Sequence, residues 1–190
     1  MGQRSQIYLR YNGNLIFAHY YQWNFADRMV SRARWGMEYL KEYLKDGFDF
    51  VFHTESYITK IRRVFDTNFD MHDVQLSCDI VQEREKYSPG EDFNDYVFNS
   101  QDNNDGQLFV DIIDGKIFYA FTDDAQERTI MDAESYMDWD CEDWRTNEYI
   151  SNDERAVCKE NIEAIRELAT LMTHEQLDDF LHGDYEEKPF

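Results

Sequence analysis

Cysteine, proline and cationic residues are all scarce in this 190-residue chain, and each shortage excludes something. Cys78, Cys141 and Cys158 are odd in number and far apart, so they form neither a disulfide framework nor a zinc-ligand spacing. Free thiols in a reducing compartment are expected instead. Only Pro89 and Pro189 occur, with eight glycines and no Gly/Ser-rich linker or internal repeat. One domain over 1–190 is therefore expected, comprising a basic ββα(α) unit (1–66), an acidic strand and loop region (67–150) and C-terminal helices (151–190). No apolar run approaches the roughly 20 residues of a membrane span, and no signal-type h-region follows the N-terminus. Met1-Gly2 is followed by Gln6 where a myristoylation signal carries Ser or Thr. A cytoplasmic protein without membrane contact is the expectation.

Nineteen Lys and Arg face forty Asp and Glu, for a formal net charge of −21. The imbalance is uneven: residues 1–63 carry ten bases and six acids, residues 64–190 nine bases and thirty-four acids. Like charge at this density repels itself and destabilises a compact state. Burial elsewhere, counter-ions or a basic partner must offset it. Aromatic residues make up 16%, which supplies the large apolar groups that disordered acidic tails lack. A folded domain is expected.

The pattern predicts an α+β fold: an antiparallel sheet of about five strands, built from two hairpins, with helices packed on one face and a C-terminal helical pair. Gln3 to Tyr11 and Leu15 to Tyr21 alternate in strand fashion around Asn12-Gly13, a strong hairpin signal. Leu108–Ile113 and Lys116–Phe121 repeat the arrangement around Asp114-Gly115. Between the hairpins, Asn24 is a candidate cap for a long helix with an apolar stripe through Met29, Val30, Ala33, Gly36, Met37, Leu40 and Leu44. Gly36 within that stripe costs roughly 1 kcal/mol against Ala, so a close neighbour is expected there, with a sheet face as its source. Glu55 to Phe65 reads as a helix, Val74 to Val81 as a third strand and 83–106 as loop. Residues 123–150 resist assignment beyond some helix. Ser151–Glu154 and Thr173–Gln176 each fit a capping box opening a C-terminal helix.

Motifs for chemistry are mostly missing. His19, His53, His72, His174 and His182 share no metal-ligand spacing, and the chain has no P-loop, no G-x-S-x-G and no G-x-G-x-x-G. His19, alone on a strand, reads as a packed side chain. Asp102–Gly106 fails as a calcium loop, because its glycine falls one position early and Ile113 stands where a bidentate Glu is needed. No cofactor and no metal are expected.

Two constellations remain. Arg28, Arg32 and Trp35 fall on one helix face by the i, i+4, i+7 rule; with Lys60, Arg62 and Arg63 they suit phosphate contact and base stacking. The alternative is that these arginines pair with the chain's own carboxylates. The second constellation is acidic. From Glu91 to Glu154 nineteen acids meet three bases, interleaved with aromatics. Carboxylates fixed on a rigid core can imitate a rail of phosphates and draw a basic channel through Arg–carboxylate forks. Asp123, Asp124, Glu127, Asp132, Glu134, Asp138, Asp140, Glu142 and Asp143 are the candidate docking residues. A solvated acidic face with no partner is the alternative.

The segment Met1-Gly2-Gln3-Arg4-Ser5, followed after the second strand by Tyr21-Gln22-Trp23, resembles a group of small bacterial and prophage proteins. These open Met-Gly-x-Arg-Ser and carry an aromatic-x-Gln-aromatic segment, here Tyr20-Tyr21-Gln22-Trp23. The resemblance implies a recurring hairpin-and-helix unit and no activity. In size and acidity the chain is also similar in type to phage anti-CRISPR and anti-restriction proteins. That likeness implies an inhibitor in the host bacterial cytoplasm whose partner is a basic nucleic-acid-binding protein, a CRISPR effector nuclease being the leading case. A metal-dependent nuclease gripping phosphate with the basic helix is the alternative. A homodimer joining the basic part of one copy to the acidic part of another is a third.

Overall fold

Both turn dipeptides close hairpins in the computed structural model, which describes residues 3–45, 65, 77–102, 104–123, 125 and 127–185. Strand β1 (Arg4–Tyr11) pairs antiparallel with β2 (Asn14–Gln22), and β4 (Gln107–Ile113) with β5 (Lys116–Thr122). Asn12 and Gly13 have φ of 45° and 83°, Asp114 and Gly115 of 50° and 72°. Two successive left-handed residues twist a two-residue turn to match its strands, and Asn-Gly and Asp-Gly adopt this conformation most cheaply.

The sheet is mixed, not purely antiparallel. Its order is β3-β2-β1-β4-β5-β6, where β3 is Cys78–Asp79 and β6 is Ile130–Met131; β7 (Thr170–Leu171) also pairs with β5. β1 runs parallel to β4, with Arg10 beside Asp111, and β7 runs parallel to β5. Alternation reveals a strand but not its neighbour's direction, so the central parallel pair escaped the sequence reading.

Helices cover both faces, which corrects the one-face expectation. Helices α1 (Ala26–Lys45), α4 (Ala133–Asp140) and α5 (Asn152–Leu168) pack on the side bearing Ile7, Leu9, Leu108 and Val110. Helices α2 (Ile80–Tyr87), α3 (Phe93–Asn99) and α6 (His174–Leu181) pack on the side of Tyr8, Phe109 and Ala120. The two C-terminal helices therefore lie on opposite faces, separated by β7, and do not form a packed pair. Both begin with the expected capping boxes, Ser151 with Glu154 and Thr173 with Gln176.

Other boundaries move for local reasons. Ile80 and Val81 belong to α2, because the Asp79 side chain accepts the Gln82 N–H and starts a helix where a strand was expected. Asp92 likewise starts α3 within the stretch read as loop. Asn24 does not cap α1: its buried amide donates to Ser5 Oγ at 2.8 Å, and its carbonyl oxygen accepts from Arg32 Nε at 2.7 Å. Gly36 does have a close neighbour, but it is the Phe65 ring, which occupies the space a Cβ would need. His19 is stacked on Phe17 with ring centroids 5.4 Å apart. The helix expected over 55–65 lies, apart from Phe65, outside the described residues, as do residues 74–76 of the expected third strand.

The charged row at the centre of the sheet fastens α6. Arg10 Nη2 lies 2.6 Å from Asp111 Oδ2 and 2.8 Å from Asp179 Oδ2, and Nη1 donates to the Asp179 carbonyl at 2.9 Å. Its guanidinium also sits 4.8 Å from the centroid of the Phe180 ring. Arg10 and Asp111 are 4% and 1% exposed. Breaking such a pair on one side leaves a buried charge without compensation, at a cost of about 3–5 kcal/mol. Arg10→Met is expected to lose that much in urea unfolding, while Arg10→Met/Asp111→Leu recovers most of it. Equal losses in both variants would show that the pair does not hold the helix.

Candidate functional site

The acidic stretch condenses around two arginines. Glu134, in the first turn of α4, lies 2.7 Å from Arg145 and 2.6 Å from Arg166. Arg145 also pairs with Asp138, whose Oδ1 accepts the Trp144 indole N–H at 2.8 Å. Arg166 reaches Asp132 at 3.4 Å. Hydrogen bonds from Arg166 and then Arg145 hold the Glu134 carboxyl below the usual range, and Arg145 does the same for Asp138. At Asp132 burial pushes the other way, but the Ser135 N–H and hydroxyl and Arg166 outweigh it. Three of the candidate docking residues are thus held by the chain's own cations.

Asp140 has a structural role. Its Oδ2 accepts the Ala26 N–H at 2.5 Å and the Tyr136 hydroxyl at 3.2 Å. The first amides of a helix lack partners within it, so Asp140 caps α1 from 114 positions further along the chain. The corner it closes is strained, for Trp23 and Ala26 have φ of 60° and 44°. Burial raises the Asp140 carboxyl to about 6, and the nearby Asp105 adds to the shift.

The remaining acids divide again. Asp123 accepts the Thr129 N–H at 3.0 Å and the Ala125 N–H at 3.3 Å, shaping its own loop. Asp143 accepts from the Asn147 side chain at 3.1 Å. Glu127 and Glu142 are exposed and make no hydrogen bond or ion pair with the described residues. Asp124 lies outside the described residues.

The basic constellation is split by burial. Arg28 is exposed and donates to the Trp23 carbonyl at 3.2 Å. Arg32 is 2% exposed and donates to Asn24 and, at 2.6 Å, to the Phe65 carbonyl, with the Tyr21 ring 5.6 Å away. Trp35 is half-buried. The i, i+4 spacing is real, but Arg32 turns into the core where Asn24 and Phe65 supply acceptors. Lys60, Arg62 and Arg63 lie outside the described residues.

Among the described residues no group of three or more His, Cys, Asp or Glu could hold a metal ion. All three thiols are free; burial pushes Cys78 and Cys158 up to about 11 and raises Cys141 as well. Such thiols stay protonated and unreactive at neutral pH. No helix among the described residues is long and apolar enough to cross a membrane.

A groove of about 1110 Å³ between α3 and α6 was not anticipated. Phe98 and Leu177 line it beneath Asp95, Glu127, Glu175 and Asp178. Glu175 and Asp178 fall three apart on one helix, a spacing legible in the sequence. They lie beyond the stretch in which acids are densest, and their meeting with Glu127 depends on the fold. No protein-family model matches the chain, and neither does any curated protein or solved structure.

The Asp140 geometry sets a pH dependence. An acid whose folded-state pKa is raised contributes stability below its unfolded value of 3.8, and the contribution is lost as pH rises through about 6. Asp140→Asn keeps an acceptor for Ala26 without the charge. Its urea midpoint is expected to rise relative to wild type between about pH 4 and about pH 7. A difference independent of pH would show that Asp140 titrates normally.

Proposed function

We propose that this chain is a non-enzymatic counter-defence protein of the anti-CRISPR type. Its acidic exterior occupies a basic nucleic-acid channel on a bacterial nuclease and keeps out guide or target. The setting is the host bacterial cytoplasm, and the partner class is a basic nucleic-acid-binding protein.

The observation that supports the reading is the placement of the scarce cations. Arg10, Arg32 and Arg84 are 4%, 2% and 5% exposed. Arg128 is turned inward onto Gln107 Oε1 at 2.6 Å and Asn99 Oδ1 at 2.9 Å. Arg84 and Arg128 spend their guanidinium groups on neutral acceptors and make no ion pair with a carboxylate of the described residues, whereas Arg10 holds both Asp111 and the exposed Asp179. Exposed carboxylates such as Glu127 and Glu142 keep their charge, and a field of one sign steers a cationic surface into contact. The ion pairs of Arg145 and Arg166 take Asp132, Glu134 and Asp138 out of the leading role. The docking charge rests on exposed acids such as Glu127, Glu142, Glu148, Glu163 and Glu175.

In a cleavage assay with an RNA-guided nuclease, inhibition is expected at one inhibitor per nuclease and should weaken as ionic strength rises from roughly 0.05 M to 0.5 M. Reversal to Lys at Glu127, Glu142, Glu148 and Glu163 together should weaken inhibition by roughly tenfold or more, since several exposed pairs each contribute about 0.2–1 kcal/mol. Inhibition indifferent to both salt and reversal would remove the docking reading.

A further inference from the structure

Resting on that docking reading, we infer that the groove between α3 and α6 is the partner's entry point, taking an extended segment that bears Lys or Arg side chains. Phe98, Leu177 and Leu181 give its mixed lining an apolar part, and Asp95, Glu127, Glu175 and Asp178 add carboxylates. Lysine and arginine have that same division, an aliphatic stem below a cationic head. An anionic occupant would meet the carboxylates first, and a purely apolar one would leave them desolvated without a partner.

A further observation points to a donor-rich occupant. Arg128, the arginine of the groove lining, is spent on neutral acceptors: Nε on Gln107 Oε1, Nη2 on the Phe98 carbonyl at 2.5 Å and on Asn99 Oδ1; His182 Nδ1 lies 3.1 Å from Asp178. Burial lowers the Arg128 pKa, and Arg128 makes no ion pair with a carboxylate of the described residues. Glu127 and Glu175 are likewise exposed and make no ion pair among those residues.

The test compares Glu127→Gln/Glu175→Gln with Glu85→Gln/Glu167→Gln, which removes the same charge from exposed positions outside the groove and outside the acids named above. The probe is a fluorescein-labelled oligo-arginine peptide at low salt, read by anisotropy. Backbone amide shifts of labelled protein locate the contact, and urea midpoints confirm that both variants stay folded. The groove variant is expected to bind roughly tenfold more weakly and the distant variant nearly as wild type. Peptide-induced shifts should gather on α3 and α6. Equal weakening of the two variants, or shifts gathered on α5, would overturn the groove assignment while leaving an acidic docking surface in place. A wild-type protein that neither binds the peptide nor inhibits a nuclease would overturn both.

Discussion

Arginine turned inward is the constraint on which the rest of this fold depends. A chain with so few cations would ordinarily keep them at the surface, where they relieve carboxylate repulsion most cheaply. Here several act as internal fasteners. Arg10 ties α6 to the sheet through Asp111 and Asp179. Arg32 joins the start of α1 to Phe65, and Arg84 donates to the Glu91 carbonyl while lying over Phe93, closing the turn between α2 and α3. Arg128 binds the loop after β5 to the end of α3. Lysine could not replace them readily. A guanidinium presents five donors in a rigid fork and is less strongly hydrated than an ammonium, so it satisfies several buried acceptors at lower desolvation cost.

The elements legible in the sequence were those whose signal is local. Asn12-Gly13 and Asp114-Gly115 need only their own backbone to specify a turn, and the capping boxes need only four residues each. The two-sided burial of the sheet was not legible, and β1 shows why. Its alternation of Ile7 and Leu9 with Tyr8 and Arg10 looks like a strand with one wet face, yet all four residues are buried. Tyr8 places its hydroxyl on the Val97 carbonyl at 2.8 Å, and Arg10 meets Asp111. A side chain with an apolar body and a polar tip scores as exposed in a hydropathy pattern. It is comfortable inside once the tip is paired.

The same limit governs the acidic residues. Asp140, Glu134 and Glu142 look alike in sequence, three carboxylates within nine positions. The fold makes the first a helix cap, the second a bridge between two arginines and the third an exposed charge. What separates them is a partner far along the chain, such as the Ala26 amide or Arg166, and spacing carries no record of it. The acidity was therefore legible as a total charge and illegible as a surface. The α3–α6 groove illustrates this, for it gathers Asp95, Glu127 and Glu175 from three separate parts of the chain.

Inward arginines and an acidic exterior solve one problem together. A flexible acidic tail can present the same charge, but ordering it on a partner costs backbone and side-chain entropy that subtracts from affinity. Carboxylates carried on anchored helices lose far less on docking. Anchoring short polar helices such as α3 and α6 needs more than their few apolar residues supply. Arg10 and Arg128 provide it through hydrogen bonds to Asp179, Phe98 and Asn99. Arg128, spent on neutral acceptors, stiffens the frame and relieves no carboxylate, so both effects favour a preorganised anionic face. The like-charge repulsion this entails is borne by the aromatic core, where Tyr8, Phe98, Phe109 and Phe180 pack ring against ring across the sheet and the two helices that frame the groove.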